Sequence, residues 1–103
     1  MITAVVTFKI AQGMTREQWF DIIEGAAARF QNIPGLIRKQ FLFSDAGIGG
    51  GVYLWETRAQ AEALYRGMWR DHIRRVALSE PEIVYYETQI VVDNVQEIIE
   101  LAA

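Results

Sequence analysis

His72 is the only histidine in 103 residues. It extends a series, Ala61, Leu64, Tyr65, Met68, Trp69 and His72, whose three- and four-residue spacing puts all six on one helical stripe. Imidazole is the side chain that changes charge near neutral pH without help. At the edge of an apolar pocket it serves as a general base; near the end of a helix it equally serves as a cap or core residue that the dipole favours. Tyr65 and Trp69 share its stripe. Tyr53 and Trp55 alternate along a short strand and share one of its faces. Together these four rings and one base describe an aromatic-lined pocket for a small aromatic molecule. Arg38, Arg70 and Arg74 can each anchor an anionic or quinone oxygen, although a solvated helix face suits Arg74 and Arg75 as well.

Other chemistries lack their residues. There is no cysteine, which removes disulfides, thiolate metal sites and a sulfur nucleophile. One histidine without cysteine makes no dedicated transition-metal site. Gly47-Ile48-Gly49-Gly50-Gly51 precedes a strand rather than a helix, so it is a hairpin connection and not a phosphate loop. No Gly-x-Ser-x-Gly elbow occurs; Ser44 and Ser79 lie in turn-like contexts. The net charge is −3, and ten basic residues are scattered among thirteen acids, which excludes the continuous basic stripe of a nucleic-acid binder. No apolar run approaches the length of a membrane span, and Met1-Ile2-Thr3 leads straight into a strand pattern, so a cytoplasmic protein is expected.

The elements that must position the five candidates follow from periodicity. Residues 2–10 are apolar on both parities, the pattern of a strand covered on both faces. Thr15-Arg16-Glu17-Gln18 is a capping box that opens a helix whose stripe is Trp19, Ile22, Ile23, Ala26, Ala27 and Phe30. Pro34-Gly35 turns the chain. Residues 36–44 form a second strand, 45–51 a Gly-rich connection and 52–56 a third strand, paired as a hairpin. A second capping box, Thr57-Arg58-Ala59-Gln60, opens a helix that runs to about Trp69 and on towards Val76. Glu80-Pro81 breaks the chain, residues 82–92 make the last strand, and an amphipathic tail covers Val95 to Leu101.

Strand, helix, strand, strand, helix, strand is the split βαβ plan of a single ferredoxin-like α+β domain spanning 1–103, with a four-stranded antiparallel sheet and both helices on one face. The opposite face is also apolar, with Val5, Val52 and Leu54 on that parity, so a second copy of the chain is expected to cover it. The tail is placed to reach across to that partner. Tyr85 and Tyr86 face opposite ways, one towards the cavity and the other towards the interface.

This arrangement resembles the dimeric α+β barrel superfamily, and more narrowly the small monooxygenases grouped with the antibiotic-biosynthesis monooxygenases. The resemblance is carried by Ala4-Val5-Val6-Thr7-Phe8, Ile33-Pro34-Gly35-Leu36, Gly50-Gly51-Val52-Tyr53-Leu54-Trp55-Glu56, Trp69-Arg70, Pro81-Glu82-Ile83 and Val91-Val92-Asp93-Asn94. It implies oxidation of a quinol- or anthrone-like aromatic by molecular oxygen with no cofactor and no metal, in a homodimer. It also implies that Trp55 is a pocket tryptophan at the end of the third strand. Two departures stand out. Haem-degrading relatives carry an asparagine on the first strand, where this chain has Thr7, and His72 does not fall at their iron ligand. The anthrone oxidisers use an asparagine near the start of the third strand, where this chain has glycine. The missing donor supports the alternative of a non-catalytic dimer that binds or senses a small ligand with the same pocket.

Overall fold

The computed structural model describes residues 1–101. Strand β1 (Ile2–Lys9) leads to helix α1 (Arg16–Ala27), which tightens into a 3-10 turn at Ala28–Phe30. Strands β2 (Leu36–Ser44) and β3 (Ile48–Trp55) follow, then helices α2 (Arg58–Arg66) and α3 (Met68–Val76) and strand β4 (Glu82–Glu87). The four strands form one antiparallel sheet in the order β2-β3-β1-β4, the ferredoxin-like arrangement expected from the element order. One face of this sheet carries Ala4, Val6, Phe8, Tyr53 and Trp55, which pack with Trp19 of α1, Ala61 and Tyr65 of α2 and Trp69 of α3. All the helices therefore lie on that face. The capping box at Thr15 is complete: Gln18 N–H donates to Thr15 Oγ1 at 3.1 Å, and Thr15 N–H to Gln18 Oε1 at 2.9 Å. At Thr57 only half of the expected box forms. The hydroxyl accepts from Gln60 N–H and itself donates to the Gln60 carboxamide oxygen.

Three boundaries differ from the sequence reading, and one strand is irregular within its length. The Gly-rich segment is not a connection, because Gly49, Gly50 and Gly51 lie inside β3 and the turn is only Asp45–Gly47. A Cβ on Gly50 would land on the Val6 carbonyl oxygen, so β1 and β3 come together only because that position has no side chain. The second helical run breaks at Gly67, whose φ of −93° and ψ of −147° are not helical. The last strand also breaks, after Glu87. What reads as one strand and an amphipathic tail is β4 plus a separate hairpin of β5 (Ile90–Asp93) and β6 (Ile98–Leu101). Asp93 Oδ1 closes the hairpin turn by accepting from the N–H groups of Val95 and Gln96, both at 3.0 Å. Finally, β2 carries a bulge: Leu36 pairs with Trp55 but Arg38 already pairs with Leu54. The extra residue reverses the facing of the strand, so Lys39, Phe41 and Phe43 point towards the helices.

Candidate functional site

Between the helices and the sheet lies a cavity of about 300 Å³. Its floor is Phe8, Tyr53, Lys39 and Phe41 from the sheet, and its roof is Trp19 and Phe30 from the first helical segment with Trp69 and His72 from α3. Three causes open this space. Glycines in β3 place backbone where side chains would otherwise fill the floor, and a Cβ on Gly51 would press on Tyr53 Cε1 and Lys39 Cε, each at 3.2 Å. The non-helical Gly67 re-aims α3 relative to α2. The bulge in β2 brings a lysine and two phenylalanines inward.

Of the five residues expected to form the site, His72, Tyr53 and Trp69 line the cavity together. Trp69 and His72 sit one turn apart on α3, as their spacing requires. Trp55 and Tyr65 do not line it. They are 0% and 2% exposed, and they form a packed layer behind the lining residues. Each layer is tied internally by a hydrogen bond of the same kind. Trp69 Nε1–H donates to Tyr53 Oη at 3.2 Å, and Trp55 Nε1–H donates to Tyr65 Oη at 3.2 Å. Tyr65 packs edge-on against both Tyr53 and Trp69, with ring centroids 5.3 and 4.7 Å apart. Tyr53 and Trp55 stack at 6.2 Å with planes 8° apart. Burial pushes both phenols far above their ordinary range, more than the indole N–H groups lower them. Tyr53 and Tyr65 are therefore hydrogen-bond donors at any neutral pH and not bases. Each already accepts an indole proton, which leaves its own O–H free to point elsewhere.

The three arginines expected as anchors, Arg38, Arg70 and Arg74, lie apart from the cavity. Arg38 stands on the opposite face of the sheet, beside Thr3, Gln40, Val52 and Leu54. Arg70 and Arg74 both pair with Glu80, at 3.2 and 3.3 Å, and fasten the end of α3 to the chain ahead of β4. Tyr85 joins the core against Tyr65, whereas Tyr86 is exposed on the outer face.

Sequence reasoning did not single out Lys39. Its ammonium sits in a cage of three rings, 3.4 Å from the centroid of Phe30, 3.7 Å from Phe41 and 4.6 Å from Tyr53. Desolvation, with Arg29 nearby as a lesser cause, pushes its pKa down to about 7. The four ion pairs among the described residues involve neither Lys39 nor Arg29. The available signal was parity: Lys39, Phe41 and Phe43 alternate, so a charge sits in register with two phenylalanines on an inward face. Trp19 and Phe30 were legible as stripe residues of the first helix, but not as cavity walls. Among the described residues, no aspartate or glutamate lines the cavity. Among the described residues there is no group of three or more acidic or histidine side chains arranged to hold a metal ion. Nor is any helix among them long and apolar enough to cross a membrane.

No family model matches the chain, and no curated protein matches it. Solved structures do. A monooxygenase from Streptomyces coelicolor, in complex with nanaomycin D, superposes with a TM-score of 0.67 at 16% identity, covering 85% of this chain and 87% of its own. SnoaB, a cofactor-independent oxygenase from Streptomyces nogalater, gives a TM-score of 0.60 at 17% identity over 84% and 91%. A variant of MhuD with two manganese protoporphyrin IX molecules per active site gives 0.70 at 16% identity over 91% and 100%. The chain thus has the ferredoxin-like fold that these monooxygenase structures share. At such identities the likeness defines the fold and leaves the chemistry to the site.

Proposed function

We propose that the protein is a monooxygenase that oxidises a small quinol- or anthrone-like aromatic in this cavity, without a cofactor. The observation that carries the reading is the convergence of His72 with Tyr53 and Trp69 on one apolar cavity of substrate size. The chemistry needs little from the protein. An electron-rich phenol or anthrone, once deprotonated, passes electrons to molecular oxygen itself. One oxygen atom becomes the new carbonyl of the product and the other leaves as water. His72 takes the substrate proton. The Tyr53 hydroxyl, kept protonated by burial and already accepting from Trp69, supplies a donor for the developing oxyanion. That role offsets the absence of an asparagine at the start of β3. The apolar lining keeps water from the reactive intermediate.

The active form is a homodimer joined through the sheet face that lacks helices. In support, that face exposes Leu42, Val84 and Tyr86, and the β5–β6 hairpin presents Ile90, Val92, Ile99 and Leu101. A two-stranded hairpin pairing only with itself gains its stability from packing against something else.

Oxygen uptake by the purified protein with naphthoquinols, benzoquinols and anthrones, corrected for autoxidation, tests the activity. Saturable uptake that falls at least about a hundredfold in His72→Ala is the expected result for loss of a general base. Uptake at background on every compound, alongside quenching of tryptophan fluorescence by the same compounds, would overturn the oxygenase and leave a binding protein.

A further inference from the structure

The polar groups around the cavity are not evenly assorted. Among the described residues, the lining contains the cations Lys39 and Arg29, the donors of Tyr53 and Trp69, and His72, but no carboxylate. Lys39 and Arg29 both line this cavity, Lys39 from β2 and Arg29 from the 3-10 turn that also carries Phe30, one ring of the cage. Neither is in an ion pair among the described residues. An ammonium held among three rings, with no ion-pair partner among the described residues, is costly to keep, because the rings solvate it poorly, whereas Arg29 in the same lining is exposed to water. The ring faces of the cage return part of that cost but are poor substitutes for oxygen acceptors, and an ammonium has three N–H groups to satisfy. The side chains of the lining define the chemistry they would receive. They accept a group that is negatively charged, carries oxygen acceptors and is attached to an apolar body that fills the rest of the cavity.

We propose that the cavity selects aromatic ligands bearing an anionic oxygen group, a carboxylate or an ionised phenol, which Lys39 and Arg29 receive at the β2 end. This rests on the cavity being the ligand site, as in the function proposed above, but not on any oxygen chemistry. Lys39 lies where such selection is made. Together with Phe30 and Phe41 it lines both the cavity and a shallow outer groove bounded by Asn32, Leu36 and Arg38, so the caged ammonium forms the wall between interior and solvent. The arriving anion takes the hydrogen bonds that the rings cannot, while its ring system lies among Trp69, Tyr53 and Phe8. The neutral body of the same molecule gains only the apolar contacts.

The test compares 2-naphthoate with 2-naphthamide, which match in shape and differ in charge, by fluorescence quenching and calorimetry at pH 6. Wild type is expected to prefer the carboxylate by about tenfold or more, the worth of one charge-assisted pair. Lys39→Met removes the charge and keeps the length of the side chain. It should abolish most of that preference while leaving naphthamide affinity within about twofold, and Arg29→Gln should remove a smaller part. Retained naphthamide binding in Lys39→Met also certifies that the variant folds. Equal affinities in wild type, or a preference that survives in Lys39→Met, would overturn the charge selection and leave the aromatic cavity standing. No binding of either compound would overturn both. Because none of these readouts requires turnover, the failure of the oxygenase reading remains distinguishable from the failure of this one.

Discussion

Replacing Lys39 by methionine should stabilise the protein near neutral pH, and the gain should disappear as the solution becomes alkaline. The side chain is half-buried in its ring cage, and burial lowers its pKa from 10.5 to about 7. Below pH 7 the amine is charged in both folded and unfolded chains, so the folded state carries the whole cost of burying the charge. Between pH 7 and 10.5 the folded amine is neutral while the unfolded one still binds a proton, and stability rises with pH. Above 10.5 the cost is gone. Taken at face value the displacement corresponds to about 5 kcal/mol. Remaining contact with water and attraction to three rings reduce this to about 1–2 kcal/mol. For a chain of this length that is roughly 4–15 °C in Tm. The assay is thermal and urea unfolding of wild type and Lys39→Met from pH 6 to pH 10. Tyr53, whose ring faces Lys39, does not confuse this window, because burial holds its phenol protonated. A methionine variant less stable than wild type at pH 6, or a difference that does not change with pH, would refute the reasoning.

Three further outcomes follow from the same geometry. Gly50→Ala should cost at least about 3 kcal/mol or prevent folding, because the new methyl group meets the Val6 carbonyl across the β1–β3 pairing; urea unfolding within about 1 kcal/mol of wild type would contradict this. Trp55→Phe should lose about 1–3 kcal/mol of stability by leaving Tyr65 Oη without its donor, yet bind naphthalene ligands like wild type; Trp69→Phe should weaken both stability and binding, and equal binding losses would show that Trp55 touches the ligand after all. Light scattering at micromolar concentration should give twice the mass of one chain, and a monomer mass there would dismiss the sheet-face dimer.

What the sequence by itself determined is local. Helical stripes, a capping box at Thr15 and the alternation of β1 depend on residues at most a few positions apart, so the element order, the α+β plan and the shared face of Trp69 and His72 were all legible. Even the inward parity of Lys39 with Phe41 and Phe43 was present, although nothing in that alternation says whether the face looks at helices or at solvent. The tertiary structure decided that question through the bulge at Ile37, which exists only because β2 pairs with β3 out of step by one residue. It also decided that Trp55 and Tyr65 close the layer behind the cavity while Tyr53 and Trp69 form its wall. All four rings lie on inward faces, and which of them meets empty space depends on how far α3 is re-aimed at Gly67. The same holds for the chain after Glu87, where β5 finds a partner in β6 instead of extending the sheet. Periodicity assigns a residue to a face; only packing assigns that face to a core, a cavity or a partner.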